Sequence, residues 1–137
     1  MAYSNFYARF YAIRQQAGQA MAAVWRFYPS RFYFLAVGLW QLLTWWQAIF
    51  IYRNLTGNLL VLHYNVDFGI DLVADPSHIF IYPLFGLVVL LVNFIIAASL
   101  FRHRNFKVFT QLLLAAAALF GLFLSLVVLF IYLINFR

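Results

Sequence analysis

The chain has 137 residues, of which 67% are hydrophobic and only 9% charged, and it carries a net charge of +6. Soluble domains carry roughly 25% charged residues, and a fold of this length leaves about a third of its chain surface in water, which excludes a soluble globular domain with so few polar groups. Cysteine is absent, which excludes a disulfide framework, a thiolate metal site and a thiol nucleophile.

Residues 3–27 lack the continuous apolar core and small-residue cleavage pattern of a signal peptide. Phe6, Phe10, Ile13, Ala17, Ala20 (or Met21) and Val24 recur at helical spacing, with Arg9, Gln16 and Gln19 elsewhere on the wheel. This predicts an interfacial amphipathic helix in the headgroup layer, its arginines meeting anionic lipid. A docking arm for a partner is the alternative, although an interfacial helix needs no partner to form.

Tyr28-Pro29-Ser30 interrupts that helix, with Ser30 placed to cap the next one. Three uncharged runs follow: Phe32–Tyr52 (21 residues), Ile79–Phe101 (23 residues) and Val108–Phe136 (29 residues). At ~1.5 Å rise per residue each reaches the ~30 Å of a hydrocarbon core. In lipid the backbone must satisfy its own hydrogen bonds, so the runs read as helices. The expected fold is an all-α integral membrane protein: one membrane domain, residues 1–137, with three transmembrane helices (32–52, 79–101, 108–136). The third run exceeds one span, so it tilts or its first turn lies in the interface. Tyr28, Tyr33, Trp45, Trp46 and Tyr52 suit aromatic belts.

Residues 53–78 form the first connection. From Leu60 to Leu72 apolar and other residues alternate, which predicts a short extended or hairpin-like segment, although Leu62, Val66, Ile70 and Val73 also fit a helix. Asp75-Pro76 has the cap-then-proline order of a helix start. Residues 102–107 make a tight turn between the second and third spans, with Asn105 as a plausible cap. Asn54-Leu55-Thr56 matches a glycosylation acceptor, but it directly follows a span.

Arg9, Arg14, Arg26, Arg31, Arg102, Arg104 and Lys107 fall on one side of this arrangement; Arg53, Arg137 and the acids Asp67, Asp71 and Asp75 fall on the other. The side richer in Lys and Arg is cytoplasmic. The expected location is therefore the plasma (inner) membrane, with the N-terminus cytoplasmic and residues 53–78 and the C-terminus external. The same rule accounts for the basic excess without a nucleic-acid partner.

No ionisable residue lies inside a span, whereas ion- and proton-coupled transport usually requires one. The polar residues there include Gln41, Thr44, Gln47, Asn93, Ser99 and Ser125. Gln41 and Asn93 fall near mid-span, where an interhelical hydrogen bond worth ~0.6–2 kcal/mol is the ordinary role and a pore lining the functional one. Ala117, Gly121 and Ser125, spaced by four, form a small-residue stripe that lets helices approach closely. His63, Asp67 and Asp71, also spaced by four, are weak metal-ligand candidates, since imidazole and carboxylate suit divalent ions. A hydrated polar face on an exposed loop is the favoured reading, because solvated polar faces are far commoner than ligand sets and the ligand count is short, and no metal site is expected. No phosphate loop, nucleophile elbow or triad pattern occurs, so neither catalytic residues nor a cofactor are expected.

The segment Leu62 to Asp71, reading LHYNVDFGID, is followed by Ile81-Tyr-Pro-Leu-Phe-Gly-Leu and Val92-Asn93-Phe. Over roughly residues 60–105 this resembles a group of small uncharacterised bacterial multi-pass membrane proteins carrying an LHYN-x-x-FGID segment before a transmembrane helix. The resemblance implies that the external loop and second span form one module, and it brings no activity, substrate or cofactor.

These features lead to the expectation of a non-enzymatic structural or accessory subunit of a membrane assembly, packing against other subunits or itself as a homo-oligomer. The alternative is an oligomeric channel or small-solute transporter lined by Gln41, Thr44 and Asn93. A metal-dependent activity at His63, Asp67 and Asp71 is a third reading.

Overall fold

Helix α1 (Ala2–Arg26) ends one residue before α2 (Tyr28–Asn54); strands β1 (Leu60–Asn65) and β2 (Gly69–Ala74) follow, then a 3-10 turn (Pro76–Phe80), α3 (Ile81–Ser99) and α4 (Phe106–Asn135). This computed structural model describes residues 2–57, 59–65 and 69–136, and for 2–6, 9, 64–65 and 70–71 the backbone alone. Among the described residues, three helical segments are long and apolar enough to cross a membrane: Tyr28–Asn54, Pro76–Ser99 and Phe106–Asn135.

The starts of α2 and of the 3-10 turn have local causes. Phe27 is extended (φ −75°, ψ 105°), and Pro29 sits in the first turn of α2, where its missing N–H leaves no bond unmade. Helix α2 therefore begins four residues before the uncharged run and takes in Arg31. Ser30 does not cap it: no side-chain cap bond forms, and the Ser30 hydroxyl is buried inside that first turn. Asp75 does cap, but it caps the 3-10 turn that leads into α3, accepting from the Ser77 N–H at 2.9 Å. Asn105 occupies the cap position of α4 without a side-chain cap bond.

The buried positions of α4 are Thr110, Leu114, Ala117, Gly121, Leu124, Ser125, Val128 and Ile131. Apart from Ser125 they alternate by four and three, a seven-residue repeat. On α2 the buried Ser30, Val37, Thr44 and Ile51 recur every seven, with Ala48 between. Such repeats give the shallow left-handed crossing of coiled-coil-like pairs. The two helices run parallel: Trp40 meets Gly121, Gln47 meets Ser125 and Phe50 meets Tyr132 in order. Helix α3 returns antiparallel and packs mainly on α4.

The strands form a two-stranded antiparallel sheet from Leu60↔Ala74 to Asn65↔Gly69. Gly69 at φ +79° adopts the left-handed backbone that closes a short hairpin and favours glycine. The register shifts on both sides of His63, and the shift interrupts the alternation. Leu60 is fully buried, yet Leu72 and Val73 on β2 are about half exposed. Leu60 enters a core cluster with Ala48, Ile51, Ile79, Val128 and Ile131, so the hairpin closes one end of the helical bundle. At the opposite, basic end lie Arg26 and Arg31 with the α3–α4 turn carrying Arg102, Arg104 and Lys107.

Candidate functional site

Side-chain amides tie the helices together. Gln41, half-buried on α2, donates through Nε2 to the Pro83 carbonyl of α3 at 2.6 Å. A Cβ at Gly86 would lie 2.7 Å from Gln41 Oε1 and 3.2 Å from Leu124 Cδ1, so glycine is what admits both neighbours there. One helical face further on, Ser125 Oγ donates to Gln47 Oε1 at 3.2 Å. A Cβ at Gly121 would come within 3.3 Å of Trp40 Cβ. The stripe of Ala117, Gly121 and Ser125 is buried within the chain, and its last two members face α2.

Asn93 makes no such tie: its Nδ2 donates to Val89 O at 2.8 Å, one turn back on its own helix. Thr44 likewise donates to Trp40 O at 2.8 Å. The three residues considered for a lining thus each donate to a backbone carbonyl, and only Gln41 does so across helices. Two buried hydroxyls, Ser30 Oγ and Thr110 Oγ1, have no hydrogen-bond partner among the described residues.

Asn135, in the last turn of α4, holds the hairpin. Its Oδ1 accepts from Val61 N–H at 2.9 Å, and its Nδ2 donates to Val61 O and to Ile131 O, each at 2.8 Å. The amide therefore stands in for the missing strand neighbour at the free edge of β1, which would otherwise present unpaired backbone groups. The sequence gives little sign of this role, because Asn135 sits at the end of an otherwise apolar run; a lone amide in a final helical turn is the available signal.

The structure describes the metal candidates only in part. His63 is exposed on β1 and pairs with Leu72, and Asp71 precedes Leu72 on the neighbouring strand β2. Asp67 lies outside the described residues, as does the side chain of Asp71. Among the described residues no three His, Cys, Asp or Glu come together. Asp75 has a structural role. Its Oδ1 accepts from both the hydroxyl and the N–H of Ser77, and these bonds hold its carboxyl below the usual range.

At the basic end, α1 contacts α2 and α3 through its last turns: Ala20 and Val24 are buried, whereas Phe10 and Ile13 on the same stripe are exposed. The side chain of Phe6 lies outside the described ones. Between these helices lies an apolar groove of about 530 Å³, walled by Met21, Val24, Trp25, Phe34, Leu90 and Phe94. Arg31 spans the break between α1 and α2. Its Nε donates to Trp25 O at 3.0 Å, one of the carbonyls a helix end leaves unpaired, and its Cζ stands 5.9 Å from the centroid of the Trp25 ring. Trp25 in turn meets Phe34 (6.1 Å between centroids), and Phe34 meets Phe94 (5.7 Å). The chain matches no known protein family, no curated protein and no solved structure.

Proposed function

We propose that α2, the Pro76–Ser99 segment and α4 cross the inner membrane, with α1 in the cytoplasmic headgroup layer and the hairpin and C-terminus outside. In this reading the protein is a non-enzymatic structural or accessory subunit that packs against other subunits or copies of itself. One observation carries the proposal: Gln41, Gln47, Ser125 and Asn135 make side-chain ties between elements of the bundle, while long outward faces stay apolar. Leu35, Leu39 and Leu42 on α2, Leu84, Val88 and Ile95 on α3, and Leu112, Leu119 and Phe123 on α4 are all more than half exposed. Such faces suit lipid tails or neighbouring helices and are unfavourable in water at ~25 cal/mol per Å². The channel reading has less support, because the donors of Gln41, Thr44 and Asn93 are already bonded to backbone carbonyls.

Gentle detergent extraction from native membranes, with particle mass and composition measured together, tests this function. Co-purification in fixed ratio with other proteins, or a defined homo-oligomer without ion or solute flux in vesicles, is the expected result. Flux that disappears on Gln41→Ala or Asn93→Ala would replace it with the channel reading.

A further inference from the structure

The basic end of the bundle has no counter-charge of its own. All three acids of the chain lie between residues 67 and 75, while Arg26 and Arg31 flank the α1–α2 break and Arg102, Arg104 and Lys107 lie in or beside the α3–α4 turn. Helix α2 alone spans about 40 Å at ~1.5 Å per residue, several times the ~8–10 Å over which salt screens charges. Neutralising charge must therefore come from outside the chain.

Beside these arginines opens the groove of about 530 Å³ between α1, α2 and α3, a size within the ~300–1,000 Å³ of small-molecule sites. Its wall includes the aromatic series Trp25, Phe34 and Phe94, and Arg31, outside the lining, is held against the wall residue Trp25 by the bond to Trp25 O and by the Trp25 ring. That bond uses Nε, one of the five N–H donors of a guanidinium; the Nη pairs have the fork geometry that grips a phosphate through two oxygens. An apolar slot with an oriented cation held on one of its wall residues matches an amphiphile: a hydrocarbon tail and an anionic head. A second helix is a poorer occupant, since two turns of a cylinder about 10 Å across exceed the slot, and Ala20 and Val24 are buried where α1 closes it.

We propose that this groove binds one phospholipid of net anionic headgroup, with its phosphate on Arg31 and an acyl chain along Trp25, Phe34 and Phe94. The inference rests on the membrane reading above. It predicts selection by headgroup at one site rather than a diffuse attraction of the basic surface.

The test is native mass spectrometry of the full chain in mild detergent, titrated in turn with phosphatidylglycerol and phosphatidylcholine. The wild type is expected to keep one phosphatidylglycerol with a preference of about fivefold or more, the attraction expected of one basic side chain near anionic lipid. Arg31→Gln should abolish the preference while circular dichroism stays unchanged. Arg31→Lys, which keeps the charge, should retain part of it. Leu90→Trp, which fills the slot and leaves Arg31 in place, should lower binding of both lipids. Equal binding of the two lipids by the wild type, a preference surviving Arg31→Gln, or a protein helix found seated in the groove overturns the proposal. A carbonate wash of native vesicles separates this from the parent reading. Release of the protein by the wash defeats membrane embedding, whereas retention without headgroup preference defeats the lipid site alone.

Discussion

Gly86 and Gln41 meet where α3 crosses α2, and the pair makes a sharp test of how polar ties work in this bundle. A methyl at Gly86 would fall 2.7 Å from Gln41 Oε1, so it displaces the amide whose other end is bonded to Pro83 O. Gly86→Ala should cost ~1–2 kcal/mol in denaturant unfolding followed by tryptophan fluorescence. In a Gln41→Ala background the same change should cost clearly less, because the obstructing group is gone; equal costs in both backgrounds would show the two residues to be uncoupled. Ser30 and Thr110 pose the opposite case. Their hydroxyls are buried without partners among the described residues, so Ser30→Ala and Thr110→Val should be neutral or stabilising by about 1 kcal/mol, since an unmade bond is a desolvation cost removed. A loss of stability in the same assay would mean that these hydroxyls do have partners. The polar type of each residue was legible in the sequence. Its partner was not: Asn93 and Gln41 look alike as mid-span amides, yet one bonds within its helix and the other across.

Helix α4 shows the same limit one level up. Its existence follows from a long uncharged run, because a backbone in hydrocarbon has no other partner for its hydrogen bonds. Which face turns inward follows only in part, because nearly every residue of the run is apolar and residue size marks the inner face more than polarity does. The stripe of Ala117, Gly121 and Ser125 picked out part of the buried face by residue size, and the wider seven-residue repeat with Leu114, Leu124, Val128 and Ile131 emerges only against α2. The hairpin was partly legible: alternation favoured an extended or hairpin-like segment over a helix, and the structure has a two-stranded hairpin with Leu60 buried. The clamp that seats it was not, since Asn135 and Val61 lie 74 residues apart. Asn135→Ala removes both bonds to Val61 and should cost ~1–3 kcal/mol. Hydrogen–deuterium exchange over residues 60–65 should rise well above that of α2 and α4. Unaltered protection of Val61 would assign the seating of the hairpin to Leu60 packing instead.

At the scale of the whole molecule, the fold separates charge along its length. Among the described side chains, Arg26, Arg31, Arg102, Arg104 and Lys107 gather at the start of α2 and at the α3–α4 turn, and Asp75 lies at the hairpin end with Arg53. This is the arrangement the orientation rule requires of a chain with its basic end in the cytoplasm. The absence of cysteine makes the test clean. In intact cells, Thr56→Cys at the hairpin end should react with a membrane-impermeant maleimide, and Asn105→Cys at the basic end should react only after permeabilisation. The reverse pattern would invert the proposed topology, and equal labelling of both sites in intact cells would argue against a spanning arrangement.

Composition and run length by themselves determined three long apolar helices, because these depend on local hydropathy and backbone chemistry that no distant residue alters, whereas the alternation in residues 60–72 left strand and helix both open. The tertiary structure decided the rest: the parallel pairing of α2 with α4, the glycine-dependent approach at Gly86, the amide that edges β1 and the groove walled by Trp25, Phe34 and Phe94. These depend on which of several equally apolar faces meet, and that choice is made by shape complementarity between segments far apart in the chain.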